Sequence, residues 1–270
     1  MLKRAIYCFI SILIQIAVVG IPVVKATDTG IIQPNRWETL KPSGKYGMES
    51  GVHYASSVNI EGSAEIEDVS ACMEVVSDVL DALPRNHSES VENLSLIFDT
   101  DAKRGQGGGN TVKIRCAGIS EDELAAVLIH EIGHTVDTGL IDSYEGDVSA
   151  FTDGLRAVYS GDLSVDFYEI SWTGNGSFRE ETNGYSFVSE YAMTDPFEDF
   201  AESYLYYVLH GESFRRLALL NEQLDAKYAF LRDYVFEGVE YSGIDGYEAP
   251  LFDRPYDATR LPYELAELVW

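Results

Sequence analysis

The chain is poor in cysteine and in basic residues: it has three cysteines and 19 lysines and arginines among 270 residues. Three cysteines are too few for a disulfide-based scaffold of this size. The basic residues are outnumbered by 45 aspartates and glutamates, giving a formal net charge of −26. A field of that sign repels phosphate backbones, so we expect no nucleic-acid partner. The sequence also lacks internal repeats and low-complexity tracts, and its 46% hydrophobic and 24% charged residues are typical of a globular protein.

One long apolar run is present, and it lies at the N-terminus. Lys3 and Arg4 precede an apolar stretch over residues 5–24, and the small residue Ala26 follows it. This pattern is typical of a secretory signal peptide at residues 1–26, so we expect an exported, secreted protein. The run is also long enough to cross a bilayer. An uncleaved N-terminal anchor is therefore the alternative, and only that anchor would attach the protein to a membrane.

Beyond the signal segment the sequence predicts one domain with short extensions. We place an N-terminal extension at residues 27–60, the main domain at 61–240, and a C-terminal tail that packs on the domain at 241–270. Cys72 and Cys116 remain as an even pair in an oxidising compartment. We predict a disulfide between them, with two buried thiols as the alternative.

Hydrophobic spacing predicts both helices and strands in the main domain. Apolar residues three and four positions apart predict a helix over residues 65–83. Short apolar or alternating runs predict strands at 94–98 and 111–116. The glycine-rich segment 104–110 between them is expected to be a flexible loop, at the tip of a hairpin or between two sheet strands.

Two segments in the second half of the chain have less specific patterns. Residues 214–235 carry apolar side chains at helical spacing and are expected to form one amphipathic helix. The apolar and aromatic residues at 163–172 are expected to form a strand or a wall of a cleft.

Residues 121–138 are predicted to form a helix with one face in the core. Ser120 followed by Glu123 is a capping-box pattern at its start, and Gly139 is its expected stop. Apolar residues four positions apart form the core stripe, and the motif His-Glu-Ile-Gly-His at 130–134 places both its histidines on the opposite side.

The motif on this opposite face predicts a metal site. Because histidines four apart lie one turn above one another, His130 and His134 can bind one metal ion. Glu131 then lies beside the open position of the metal, where it can take a proton from water whose pKa zinc lowers from about 15.7 to about 7. This HExxH pattern predicts one catalytic Zn²⁺ per chain.

A catalytic zinc ion needs a third protein ligand. The metzincin pattern fails, because it requires glycine and a histidine or aspartate at the positions of Asp137 and Leu140. Glu198 is the candidate on a second helix, where Asp195 is the expected N-cap and Pro196 the first helical residue. The alternative is that Glu198 only caps this helix.

Two further acidic residues are candidates for supporting the ligands. Glu202 lies one turn beyond Glu198 and can orient a ligand histidine; a solvated helix face is the alternative. Asp137 lies close to one turn beyond His134 and can accept a histidine hydrogen bond or cap the end of the helix.

The sequence HEIGHTVD at 130–137, followed by SEYAMTDPFEDFAES at 189–203, resembles the catalytic domain of the anthrax-lethal-factor-like metallopeptidases. This family includes the secreted Pro-Pro endopeptidases. In these gluzincins a tyrosine precedes the glutamate ligand by seven residues, as Tyr191 precedes Glu198 here. The loop between the two motifs has no family signature, so cleavage preference is not carried over.

The resemblance implies a role for each residue of the site. His130, His134 and Glu198 would bind zinc. Glu131 would be the general base, and Tyr191 would stabilise the oxyanion. For Tyr191 the alternative is packing on the core.

We therefore predict an α+β, zincin-like single catalytic domain, in which a small sheet accompanies the HExxH helix and a second helix bears the glutamate ligand. The predicted function is a secreted, monomeric zinc endopeptidase that acts on protein or peptide substrates. Two other functions stay open: a zinc hydrolase of a non-peptide amide bond, and an exported binding or toxin-like module with structural zinc.

Overall fold

The computed structural model describes residues 30–32, 57–241 and 253–268. The predicted signal peptide or anchor lies outside these residues. Among the residues described, no helix has both the length and the apolar character that crossing a bilayer requires.

A five-stranded sheet forms one layer of the fold. Its strands are β1 (Gly30–Ile32), β2 (Ser57–Gly62), β3 (Asn93–Phe98), β4 (Gly105–Gly108) and β5 (Thr111–Arg115), in the spatial order β1-β2-β3-β5-β4. The three central strands are parallel, and the outer strands β1 and β4 run antiparallel to their neighbours. The sheet is therefore mixed. The boundary predicted at residue 60 falls inside β2, so part of the expected N-terminal extension belongs to the sheet.

Helices pack on this sheet and on one another. They are α1 (Ile66–Ala82), α2 (Arg85–Glu89), α3 (Glu121–Thr135), α4 (Leu163–Ser171), α5 (Pro196–Leu209), α6 (Gly211–Ala218), α7 (Glu222–Phe230) and α8 (Leu265–Leu268). Two small hairpins, β6 (Val148–Asp153) with β7 (Arg156–Tyr159) and β8 (Trp172–Gly174) with β9 (Ser177–Phe178), lie between α3 and α5 in the chain. This mixture of helices and a small mixed sheet agrees with the α+β class.

Helix α3 begins and ends differently from its predicted pattern. The Ser120 hydroxyl accepts the Glu123 amide at 3.2 Å, which is one half of a capping box. The Glu123 carboxylate instead accepts a hydrogen bond from Arg104 at 3.2 Å. The helix does not stop at Gly139 but continues as a π-helical turn over Val136–Leu140. Glycine is needed at 139 for space, because a Cβ there would lie 2.0 Å from the carbonyl oxygen of Gly109.

The segment predicted as a flexible glycine-rich loop contains the edge strand β4, so that prediction is wrong. The hairpin option is wrong as well, because β3 and β5 pair in parallel, while the option of two sheet strands is correct. Glycine is depleted in strands, but the glycines of β4 have no side chain and so let this strand lie directly on α3. A Cβ at Gly107 would be 2.2 Å from the carbonyl oxygen of Glu131.

Two other predicted elements differ from the structure. The single helix expected at 214–235 is divided between α6, α7 and a π-helical turn at Leu231–Val235. The break occurs because the Asn221 side chain caps α7 by accepting two amides at 3.0 Å, which leaves Leu220 62% exposed. Residues 163–171 form helix α4 rather than a strand, since the Asp162 carboxylate caps its N-terminus.

A buried ion pair fastens α7 to α5. Lys227 Nζ lies 2.7 Å from Asp199 Oδ2, and both side chains are fully buried. Lys227 also donates to the carbonyl oxygen of Ser186 at 2.9 Å, and the Trp172 indole donates to Asp199 at 2.9 Å. Buried charges are tolerated when their hydrogen bonds are complete. This network therefore fixes the first turn of α5, which also contains Glu198.

The described part of the C-terminal tail packs on the domain, as predicted. The Tyr263 hydroxyl donates to the carbonyl oxygen of Asp122 in the first turn of α3, at 2.6 Å. Ala258 is fully buried.

A disulfide joins Cys72 on α1 to Cys116 at the end of β5, the pairing that the sequence predicted. Replacing both cysteines by serine should lower the free energy of unfolding by about 4 kcal/mol, because the bridge closes a loop of 44 residues and restricts the unfolded chain. Urea unfolding of both proteins measures this difference. Reductant should lower the urea midpoint of the native protein but leave that of the double-serine variant unchanged. Equal midpoints without reductant would contradict the prediction.

Candidate metal centre

Three side chains from α3 and α5 converge at one point. His130 Nε2 lies 3.2 Å from Glu198 Oε2, and His134 Nε2 lies 3.4 Å from the same oxygen. Among the residues that the structure describes, this is the one group of three or more His, Cys, Asp or Glu side chains close enough to hold a metal ion together. The HExxH motif and the glutamate predicted from the second helix thus meet.

The start of α5 aims Glu198 at the histidines. The Asp195 carboxylate accepts the amides of Phe197 and Glu198 at 2.9 Å each, and Pro196 occupies the first turn. Because Asp195 already satisfies these amides, the Glu198 side chain is free to face α3. The carboxylate lies against His130 and His134 rather than folding back onto the helix terminus.

The electrostatics of this group favour a positive charge at its centre. Burial lowers the pKa of His130, but the carboxylates of Glu198 and Glu202 more than offset this and hold it well above its usual value. Burial raises the pKa of Glu198, but the two histidines outweigh burial and hold it well below its usual range. Both shifts express the same attraction between the carboxylates and a cation.

The donor atoms fit a zinc ion. His130 Nδ1 lies 3.0 Å from Glu202 Oε1, although the two atoms are not aligned as a hydrogen bond. An imidazole protonated at Nδ1 beside this carboxylate presents a lone pair at Nε2. That lone pair faces the carboxylate oxygen Oε2 of Glu198. The two atoms repel one another unless a proton or a metal cation lies between them. Two imidazole nitrogens and one carboxylate oxygen are ligands that Zn²⁺ takes in catalytic sites.

Glu202 is fully buried and is not part of a solvated helix face. One of its oxygens lies against His130. The other accepts the Ser189 hydroxyl at 2.6 Å and the Ala258 amide at 2.8 Å. This geometry is that of an acceptor that orients a histidine ring. Neither Ser189 nor Ala258 was predicted to belong to the site: Ser189 lies in the stretch 189–203 but had no assigned role, and Ala258 lies in no motif.

Glu131 lies beneath the edge strand β4. Its carboxylate accepts the Gly107 amide, and burial raises its pKa above the usual value. A Cβ at Gly105 would lie 2.3 Å from Glu131 Oε1. The glycines of β4 therefore make the space in which this carboxylate sits.

Tyr191 also belongs to the site rather than to the core. Its hydroxyl donates to Glu198 Oε1 at 3.2 Å, and its half-buried ring lines the same cavity as His130. Burial and the charge of Glu198 raise the pKa of the phenol, so it stays protonated as a hydrogen-bond donor.

Asp137 does not make the expected hydrogen bond to a histidine among the described residues. Both of its carboxylate oxygens accept the Tyr168 hydroxyl, at 2.7 and 2.8 Å, and burial raises its pKa to about 7. Since Tyr168 lies on α4, Asp137 joins the end of α3 to that helix.

The site opens into a cavity of about 680 Å³. Strand β4 forms one wall. The tip of the β6–β7 hairpin borders the cavity and is held by Asn175, whose side chain bonds both backbone groups of Thr152, at 2.9 and 2.6 Å. Tyr256 and Asp257 of the tail also line the cavity. The cavity is thus a cleft bounded by a strand, a hairpin and the tail.

Comparisons of the chain with models of protein families, with curated proteins and with solved structures return no significant match.

The two cleft glycines of β4 should respond differently to alanine. Gly107→Ala should lower the free energy of unfolding by about 1–3 kcal/mol, because its Cβ meets helix backbone that cannot move cheaply. Gly105→Ala should lower the free energy of unfolding less, because its Cβ meets only the side chain of Glu131, which can turn away. Urea unfolding compares the two variants with Gly176→Ala, where a Cβ would meet nothing within 4 Å. Equal losses at 105 and 107 would contradict the assigned contacts.

Proposed function

We propose that this protein is a secreted zinc-dependent endopeptidase with a zincin-like catalytic domain of the anthrax-lethal-factor-like type. The observation that carries the proposal is that the Nε2 atoms of His130 and His134 both lie within 3.4 Å of Glu198 Oε2, with Glu131 in the same cavity. A structural zinc site would fill its fourth position with another protein side chain. The cleft in front of these residues leaves room for water and substrate instead.

Each residue of the site has a chemical task in this proposal. Zinc held by His130, His134 and Glu198 would act as a Lewis acid and make water a better nucleophile at neutral pH. Glu131 takes the proton of the attacking water and then gives it to the leaving amine of the peptide. The Tyr191 hydroxyl donates to the oxyanion of the substrate, as an oxyanion-hole donor does.

The edge strand supports a peptide as the substrate. The amide of Arg115 donates to the carbonyl oxygen of Arg104 at 2.9 Å, so Arg104 faces β5. Because the direction of the backbone groups alternates along an antiparallel ladder, those of Gly105 and Gly107 point away from β5 and toward the cleft, where the Gly107 amide already meets Glu131. An extended peptide can add to this edge as a further strand. A small non-peptide amide would make no use of such an edge.

Glu131→Gln should retain zinc but lose at least about 10²-fold in peptide cleavage, the low end for general acid–base catalysis. The protein of residues 27–270 is incubated with a diverse peptide library as isolated, after a chelator has removed zinc, and after zinc has been restored. Mass spectrometry identifies the products. Glu169→Gln on an exposed face of α4 is the matched control and should cleave normally. Full activity of zinc-loaded Glu131→Gln would refute the mechanism.

Tyr191→Phe should fold normally and bind zinc, but lose about 10²–10³-fold in kcat, because one oxyanion donor is removed. Steady-state kinetics on a peptide found in the library screen measures the loss, and Tyr234→Phe at an exposed position is the control. A variant that loses zinc while keeping its turnover per bound metal would show that the tyrosine supports the metal and not the reaction.

A further inference from the structure

The C-terminal strap, defined as residues 253–263, closes over the segment that carries Tyr191. The amides of Glu190 and Tyr191 donate to the carbonyl oxygens of Pro255 and Tyr256, at 2.9 and 2.7 Å. The backbone at Tyr191 is therefore fixed by the strap.

A second contact leads from the strap to a candidate metal ligand. The Ala258 amide donates to Glu202 Oε2 at 2.8 Å, and Glu202 Oε1 lies 3.0 Å from His130 Nδ1. Ala258 and Glu202 are both fully buried, so water cannot replace this donor. The strap therefore reaches His130 through Glu202: the Ala258 amide bonds one oxygen of the carboxylate, and the other oxygen lies against the imidazole.

An ion pair anchors the strap where it crosses the cleft. Arg104, next to the edge strand, pairs with Asp257 and donates to the Thr259 hydroxyl at 2.8 Å. The Thr259 amide in turn donates to Asp257 at 2.9 Å. These bonds hold the turn that begins at Ala258 in the one orientation that aims its amide at Glu202.

We infer that the strap is a positioning element of the metal site and that Ala258 is its positioning residue, acting through Glu202 on His130. This inference rests on the proposed function. A carboxylate held by the Ser189 hydroxyl and the Ala258 amide keeps the ring of His130 in one orientation and one tautomer, with Nε2 directed at the metal position. If the Ala258 amide is lost, Ser189 is the one donor to this carboxylate that remains among the described residues, and the carboxylate can rotate away from His130.

Ala258→Pro removes this amide and places the proline Cδ where the N–H pointed, so Glu202 loses a donor and must also turn away. Ala258 is the first residue of the turn Ala258–Arg260, a position that proline accepts, and Asp257 before it is already extended, with φ −145° and ψ 121°. Ala258→Gly keeps the amide and is the matched control. We expect zinc affinity, measured by competition with a chromophoric chelator, to fall about tenfold in Ala258→Pro, the low end for loss of an outer partner of a ligand histidine, and to change less than about twofold in Ala258→Gly.

A double-mutant cycle separates positioning from general loss of stability. In a Glu202→Ala background, Ala258→Pro should change zinc affinity less than about twofold, because the carboxylate through which it acts is gone. An unchanged affinity in Ala258→Pro alone, or an equal loss in both backgrounds, would overturn the inference and leave the proposed function standing. A native protein that binds no zinc would overturn both.

Hydrogen–deuterium exchange of the native protein gives a test that needs no folded variant. Zinc binding that stiffens His130 should also slow exchange of the strap amides around Ala258, because such coupling is reciprocal. Exchange there that is the same with and without bound zinc would overturn the inference, even if Ala258→Pro fails to fold.

Discussion

The close approach of α3 and α5 at Gly133 is the constraint on which the site depends. A Cβ at Gly133 would lie 3.1 Å from Ala201 Cα and 3.2 Å from Tyr204 Cβ. The helices therefore touch backbone to backbone at the middle of the HExxH motif. Any larger residue at 133 would have to separate them, and α5 carries Glu198 and Glu202 on the face toward α3. Even the few tenths of an ångström that an alanine would require would disturb contacts that are 3.0–3.4 Å long.

That approach brings carboxylates together at a cost that the fold must offset. Glu131 and Glu202 are buried and Glu198 is partly buried, and burying unpaired charge is unfavourable by several kcal/mol per ion. His130 lies between Glu198 and Glu202, so a positive charge at or beside its ring relieves the repulsion. A positive charge stabilises the buried carboxylate of Asp199 in the same way, in its ion pair with Lys227. There Lys227 supplies the positive charge, whereas at His130 our proposal has a metal ion from solution supply it.

How much could be predicted from sequence depended on whether the signal was local. The HExxH helix, the N-cap Asp195 and the register of Glu198 follow from short-range spacing, and the structure places these three as expected. Strand β4 was missed because its glycines serve contact with Glu131, which no strand propensity records. The hydrogen bond expected from a histidine to Asp137 is replaced by one from Tyr168, which lies 31 residues away. The strap was expected only to pack on the domain, since a backbone amide such as that of Ala258 has no sequence signature.

Two backbone amides from outside α3 and α5 complete the site, and they act on the two carboxylates that do not bind the metal in our proposal. Gly107 donates to Glu131 from the edge strand, and Ala258 donates to Glu202 from the strap. A backbone donor is held by its ladder or turn and has no rotamers to order, so it fixes a carboxylate at little entropic cost. The position of each of these donors, however, is set by the assembled sheet or by the tail. The motif on α3 alone therefore supplies the candidate ligands, while their orientation is a property of the whole domain.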